Sequence, residues 1–126
     1  MQQAKFGTVF NCMDGRTQLQ VNEFLREKYG LDYVDTITEP GIDGILSANS
    51  GELIEYLKQK AGISINKHGS GIIAIVGHHD CAGNPVDKTT HIEQVKSSID
   101  VVSSWGFPAE VIGIWVNENW EVEVIE

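Results

Sequence analysis

Cys12, Asp14 and Arg16 stand at alternate positions near the start of the chain, and His78 and Cys81 close a short His-x-x-Cys segment in its middle. Cys12 and Cys81 are the only two cysteines. Two thiolates and an imidazole form a soft donor set for a metal ion, and three protein donors leave a fourth position open, which for zinc is the arrangement of a catalytic centre. In an extended chain alternate residues share one side, so Asp14 can lie beside an ion held by Cys12 while Arg16 grips its carboxylate through a bidentate, charge-assisted pair. Such a carboxylate would orient a water for attack on a small electrophile. Other uses of the same residues stay open: two small buried hydrophobes, a disulfide or redox pair, or an Asp14–Arg16 ion pair that merely fixes a turn.

These residues need elements that bring them together. Phe6 to Asn11 and Gly71 to Val76 read as strands, so each group sits at a strand's carboxyl end, where open α/β sheets bind their ligands. From Thr17, with Gln20 at the reciprocal capping position, Val21, Phe24, Leu25 and Tyr29 share a helical face that Gly30 ends. Leu31 to Thr38 reads as a strand, Glu39-Pro40-Gly41 as a break, and the stretch through Gly44 as a glycine-bearing loop. A second helix is expected from Asn49 and Glu52 to a stop at Gly62, and a third from Thr90 to Trp105, closed by Gly106 and Pro108. Glu110 to Val116 and Trp120 to Ile125 read as two strands joined by a turn at Asn117-Glu118-Asn119. The order β-α-β-α-β-α-β-β predicts an α/β fold. Its central sheet has about four mostly parallel strands plus an antiparallel carboxy-terminal hairpin strand, with helices packed on both faces. The apolar run Ile72 to Val76 suits a central strand buried on both sides.

At 126 residues the chain, 1–126, is expected to form a single domain. Lys plus Arg number 9 against 18 Asp plus Glu, a formal net charge of -9, which disfavours nucleic acid and anionic membrane surfaces as partners. The start from Met1 runs straight into a strand pattern, so neither a signal peptide nor a membrane span is expected, and a reducing cytoplasm suits free thiols. His68 and His91 are expected at the surface, and His79 as a solvated or packed neighbour of the His-x-x-Cys segment. Trp105, Trp115 and Trp120 are expected to supply bulk in a core or interface. Glu39 and Asp43 place negative charge in the loop after the second strand.

Cys12-x-Asp14-x-Arg16 followed by His78-x-x-Cys81 resembles the signature of the β-class carbonic anhydrases. The resemblance implies zinc held by Cys12, His78 and Cys81, an Asp14–Arg16 dyad, and reversible hydration of carbon dioxide to bicarbonate. It also implies a homodimer or higher homo-oligomer, and a closed state in which Asp14 leaves Arg16 to become a fourth zinc ligand. A catalytically silent zinc-binding module of the same fold, or a hydrolase of carbonyl sulfide or carbon disulfide, would use the same residues.

Overall fold

The computed structural model describes residues 3–126; Met1 and Gln2, and with them part of the reading of the amino terminus, lie outside the described residues. Strands β1 (Phe6–Asn11), β2 (Tyr33–Thr38), β3 (Ile72–His78), β4 (Glu110–Val116) and β5 (Val122–Ile125) alternate with helices α1 (Gln18–Tyr29), α2 (Ile42–Ala48), α3 (Glu52–His68) and α4 (Lys88–Ser103). The sheet order is β2-β1-β3-β4-β5. The first three pairings are parallel and β4–β5 is antiparallel, as the alternation of elements predicts.

The chain leaves β1 through α1 to reach β2, then returns across β1 through α2 and α3 to reach β3. The winding direction reverses between β1 and β3, and the carboxyl ends of those two strands flank the resulting crevice. Alternation along β1 feeds two cores. Phe10 packs with Ile42, Leu46, Leu57 and Val95 against α2, α3 and α4 on one face, and Val9 packs with Val21, Leu25 and Ile114 against α1 on the other. All seven residues of β3 are buried, which confirms its central place. Removing each of its isoleucine side chains from water contributes about 1.5–3 kcal/mol. The strand that carries His78 is therefore among the hardest parts of the molecule to move.

Several boundaries differ from expectation for identifiable reasons. The Thr17 side chain makes no capping bond to α1; its hydroxyl instead donates to the Asp14 carbonyl (2.9 Å), with Asn11 Oδ1 3.2 Å away, which ties the turn after β1 to the strand. Gln20 reaches the Trp120 carbonyl (3.0 Å) rather than closing a capping box. Gly62 does not stop α3, which continues to Gly69 in the left-handed conformation (φ 67°), while the Phe107 ring lies over the Gly62 position. Asp87, not Thr90, caps α4 by accepting from the Thr90 amide (2.8 Å). Trp105 follows that helix rather than ending it, and Trp120 is a turn residue at φ 61° rather than the start of β5. Among the described residues, no helix is long and apolar enough to cross a membrane.

Candidate metal centre

Cys12 follows directly on β1, His78 is the last residue of β3, and Cys81 lies on the turn that leaves β3; all three are buried. Their ligand atoms lie within 4.8 Å of one another. The two sulfurs are free thiols 3.9 Å apart. His78 Nδ1 lies 2.7 Å from the His79 carbonyl, an acceptor only, so Nδ1 carries the hydrogen and Nε2 keeps its lone pair. Nε2 is buried and without a hydrogen-bond partner among the described residues. Leaving such an atom unpaired costs about 1–3 kcal/mol, and a cation between the three groups would use the lone pair. Two sulfurs and an oriented imidazole thus fit a soft metal ion.

The electrostatics prepare one sulfur more than the other. Burial pushes the Cys12 thiol up, but the His78 imidazole and the amides of Gly41 and Asp14 outweigh it and bring the value down to about 7. Burial pushes the Cys81 thiol up to about 11, and the neighbouring Cys12 adds to the rise. His78 is raised because the interaction with Cys12 and the bond to the His79 carbonyl overcome desolvation. Cys12 is thus the thiol most easily ionised, and the approach of a cation would favour ionising both.

Asp14 and Arg16 form the expected pair, but not in an extended chain: β1 ends at Asn11, and Arg16 lies in a 3-10 turn, Gly15–Thr17, that Asp14 caps. Arg16 Nη2 lies 2.7 Å from Asp14 Oδ2, Arg16 Nε lies 3.1 Å from Oδ1, and the Arg16 amide also donates to Oδ1 (2.9 Å). These donors hold the Asp14 carboxyl down at about 2. Arg16 is further engaged by the Asp80 side chain (3.3 Å) and carbonyl (3.2 Å), and its guanidinium lies 4.2 Å from the centre of the Trp120 ring. Asp14 is therefore paired with Arg16 and stands outside the three-residue cluster.

Asp80 and Trp120 escape notice in the sequence, since neither belongs to the spaced motif. Asp80 at least adjoins His79 and Cys81; Trp120 lies far from Arg16 in the chain and meets it only because β5 folds back beside β4. His68 is exposed as expected, whereas His91 is buried and hydrogen-bonded to Asp43. Asp43 does not lie in a loop: it is buried in α2, with Oδ1 accepting from the Gly44 amide (2.9 Å) and from Asn84 Nδ2 (3.1 Å).

The loops after β2 and β3 interlock at glycine. Gly41 has φ 61°, and a Cβ there would lie 2.7 Å from the Gly83 carbonyl group. The Gly41 amide points at Cys12 Sγ (3.4 Å). Gly41→Ala is accordingly expected to cost about 1–3 kcal/mol of stability by combined backbone strain and overpacking. Urea denaturation would show this as a lower midpoint with an unchanged slope; an unchanged midpoint would mean that the two loops separate freely.

A family model described as "Putative carbonic anhydrase" matches residues 2–126. No curated protein matches the chain in sequence. Among solved structures, β-carbonic anhydrase isoform I from Trichomonas vaginalis is similar with a TM-score of 0.63 at 18% identity, over 99% of this chain and 85% of that one. A carbonic anhydrase from Streptococcus mutans gives 0.58 at 14% identity, over 98% and 82%. One of the β-carbonic anhydrases described as tetrameric from Sordaria macrospora gives 0.51 at 11% identity, over 98% and 82%. At these identities the solved structures speak for the fold, and the family match covers nearly the whole chain. With the Cys-x-Asp-x-Arg and His-x-x-Cys segments meeting where such a fold binds ligands, this chain belongs to the β-class carbonic anhydrase family.

Proposed function

We propose that this protein is a zinc-dependent enzyme that hydrates carbon dioxide reversibly to bicarbonate, with Cys12, His78 and Cys81 holding the metal. The observation that carries the reading is the unpartnered His78 Nε2 beside two free thiols, within reach of one ion. Zinc bound there supplies a Lewis acid that makes water a usable nucleophile near neutral pH. The chain's own residues do the rest. The His79 carbonyl holds the His78 ring in the tautomer that offers Nε2. Asp14, ionised at neutral pH and held in place by Arg16, accepts a hydrogen bond from the attacking water and so aims its lone pair. Arg16 positions that carboxylate and is itself clamped by Asp80 and Trp120.

The purified protein should contain about one zinc per chain and accelerate carbon dioxide hydration between about pH 6 and pH 9, with the activity lost on chelation. Stoichiometric zinc without hydration would favour the silent module, or a carbonyl sulfide or carbon disulfide hydrolase if those substrates turn over. A homo-oligomer is part of the proposal, supported by the tetrameric description of the Sordaria relatives and by the unpaired outer edges of β2 and β5. Light scattering that finds a monomer at micromolar concentration would remove it. A reducing cytoplasm is the compartment that keeps two thiols available to a metal.

A further inference from the structure

Cys81 lies beyond the end of β3, between exposed Asp80 and Ala82, yet its own side chain is only 5% exposed. Before it, the chain is still tied to the sheet by the His79 amide, which donates to the Val116 carbonyl (2.9 Å). After it, the turn is fastened by Asn84. The side-chain amide of Asn84 donates to Asp43 Oδ1 (3.1 Å) on α2 and to Gln94 Oε1 (2.6 Å) on α4. Burial pushes the Cys81 thiol up, and the backbone amides of Asn84 and Gly83, which face its sulfur, pull the other way. Asn84 thus connects the sulfur of Cys81 to two helices.

Asp43, to which Asn84 is tied, is itself immobilised. Its Oδ1 also accepts from the Gly44 amide (2.9 Å), its Oδ2 meets His91 Nδ1, and its carbonyl accepts from Ser98 Oγ (3.0 Å). His91, Gln94 and Ser98 stand three and four residues apart, so they form a polar stripe along one face of α4. All three side chains reach Asp43 or Asn84. Asp43, His91 and Ser98 are each at most 1% exposed, and burying such groups is costly unless they are hydrogen-bonded to one another. Glycines let the segments touch. A Cβ at Gly44 would lie 3.0 Å from Asn84 Nδ2, and one at Gly83 would lie 2.6 Å from the carbonyl carbon of Pro40.

We infer that Asp43, His91 and Asn84 are positioning residues for the metal centre: Asp43, held by the polar stripe of α4, pins Asn84 and thereby keeps Cys81 in place as a ligand. The inference rests on the reading of Cys12, His78 and Cys81 as a metal site. It gives the start of α2 a hand in both thiols, through the Gly41 amide at Cys12 (3.4 Å) and through Asp43 and Asn84 at Cys81.

The test uses cobalt(II) in place of zinc, because cobalt bound to thiolates absorbs light in a way that reports on its sulfur donors. Asn84→Ala removes a half-buried side chain from a turn, so the variant is expected to fold. It should bind cobalt about tenfold more weakly than the wild type, through faster release to excess chelator, as befits the loss of an outer partner of a metal ligand. Its sulfur-to-cobalt charge-transfer band should move to longer wavelength, since an N–H aimed at sulfur withdraws electron density that the variant would restore. Gln94→Ala, which leaves the bond from Asn84 to Asp43 in place, should speed release by only about threefold. A purely structural network would lower the urea midpoint of metal-free Asn84→Ala while leaving the band and the release rate as in the wild type, and that result would overturn the inference alone. Cobalt taken up by neither protein would remove the metal centre and the inference together.

Discussion

Cys12→Ser is expected to bind zinc at least about 100-fold more weakly than the wild-type chain, beyond the 10–100-fold cost of losing an outer partner of a metal ligand. The serine hydroxyl would stay protonated where the Cys12 thiol, at about 7, is ready to ionise, and oxygen is a poorer match than sulfur to a soft ion. The side chain is only 5% exposed, so water cannot readily substitute for the missing donor. Competition with a chromophoric chelator measures the affinity directly. Thermal unfolding gives a second readout: zinc in 100-fold excess over its Kd should stabilise the wild type by about 2.7 kcal/mol, and much of that should vanish in the variant. Equal affinities for the two proteins would show that Cys12 is not a ligand.

The second large effect should fall on turnover rather than on metal content. Arg16→Ala is expected to retain zinc and to lose hydration activity by about 100-fold to 10,000-fold, the range associated with a positioned proton-transfer group. The cause would be loss of aim, not loss of charge. Without Arg16 the Asp14 carboxyl would drift from about 2 back toward its ordinary 3.8, and at neutral pH it would remain ionised either way. Any acid limb of the wild-type pH–rate profile near neutrality must therefore come from another group. The same shift has a stability consequence of definite sign. Because the folded-state value is depressed, the contribution of the pair is complete above about pH 4 and is lost as pH falls through about 2. Exposure of Arg16 keeps that contribution small. A variant with less zinc and proportionately less activity would instead make Arg16 a support for the metal cluster.

The spacing of the five motif residues anticipated the cluster because strand ends are geometrically simple. The apolar run before His78 placed it at the centre of the sheet, whereas Asp14 and Arg16 meet without the extended alternation expected of them: β1 ends at Asn11, and Asp14 caps a 3-10 turn, Gly15–Thr17, that contains Arg16. What escaped depends on contacts that no local pattern encodes. Helix α2 was hidden by Pro40, Gly41 and Gly44, which look like breakers, yet Gly41 supplies the left-handed entry and the burial of Ile42 and Leu46 holds the helix against α4. His91 lies on an otherwise ordinary amphipathic helix, and only the tertiary position of Asp43 makes its burial tolerable. Trp120 follows the same rule: its meeting with Arg16 is set by the fold of the last two strands.

The placement of the three cluster residues also sets how an ion could come and go. Cys12 and His78 are fastened to β1 and β3, whose pairing sits in the doubly covered middle of the sheet, where local opening approaches the free energy of global unfolding. Cys81 is carried instead by a turn whose neighbours Asp80, Ala82 and Gly83 are exposed. Exchange of a bound ion would thus be one-sided. Its rate would follow the breathing of the turn around Cys81 while the other two donors wait in place, so the lifetime of the loaded centre could change independently of the overall stability of the protein.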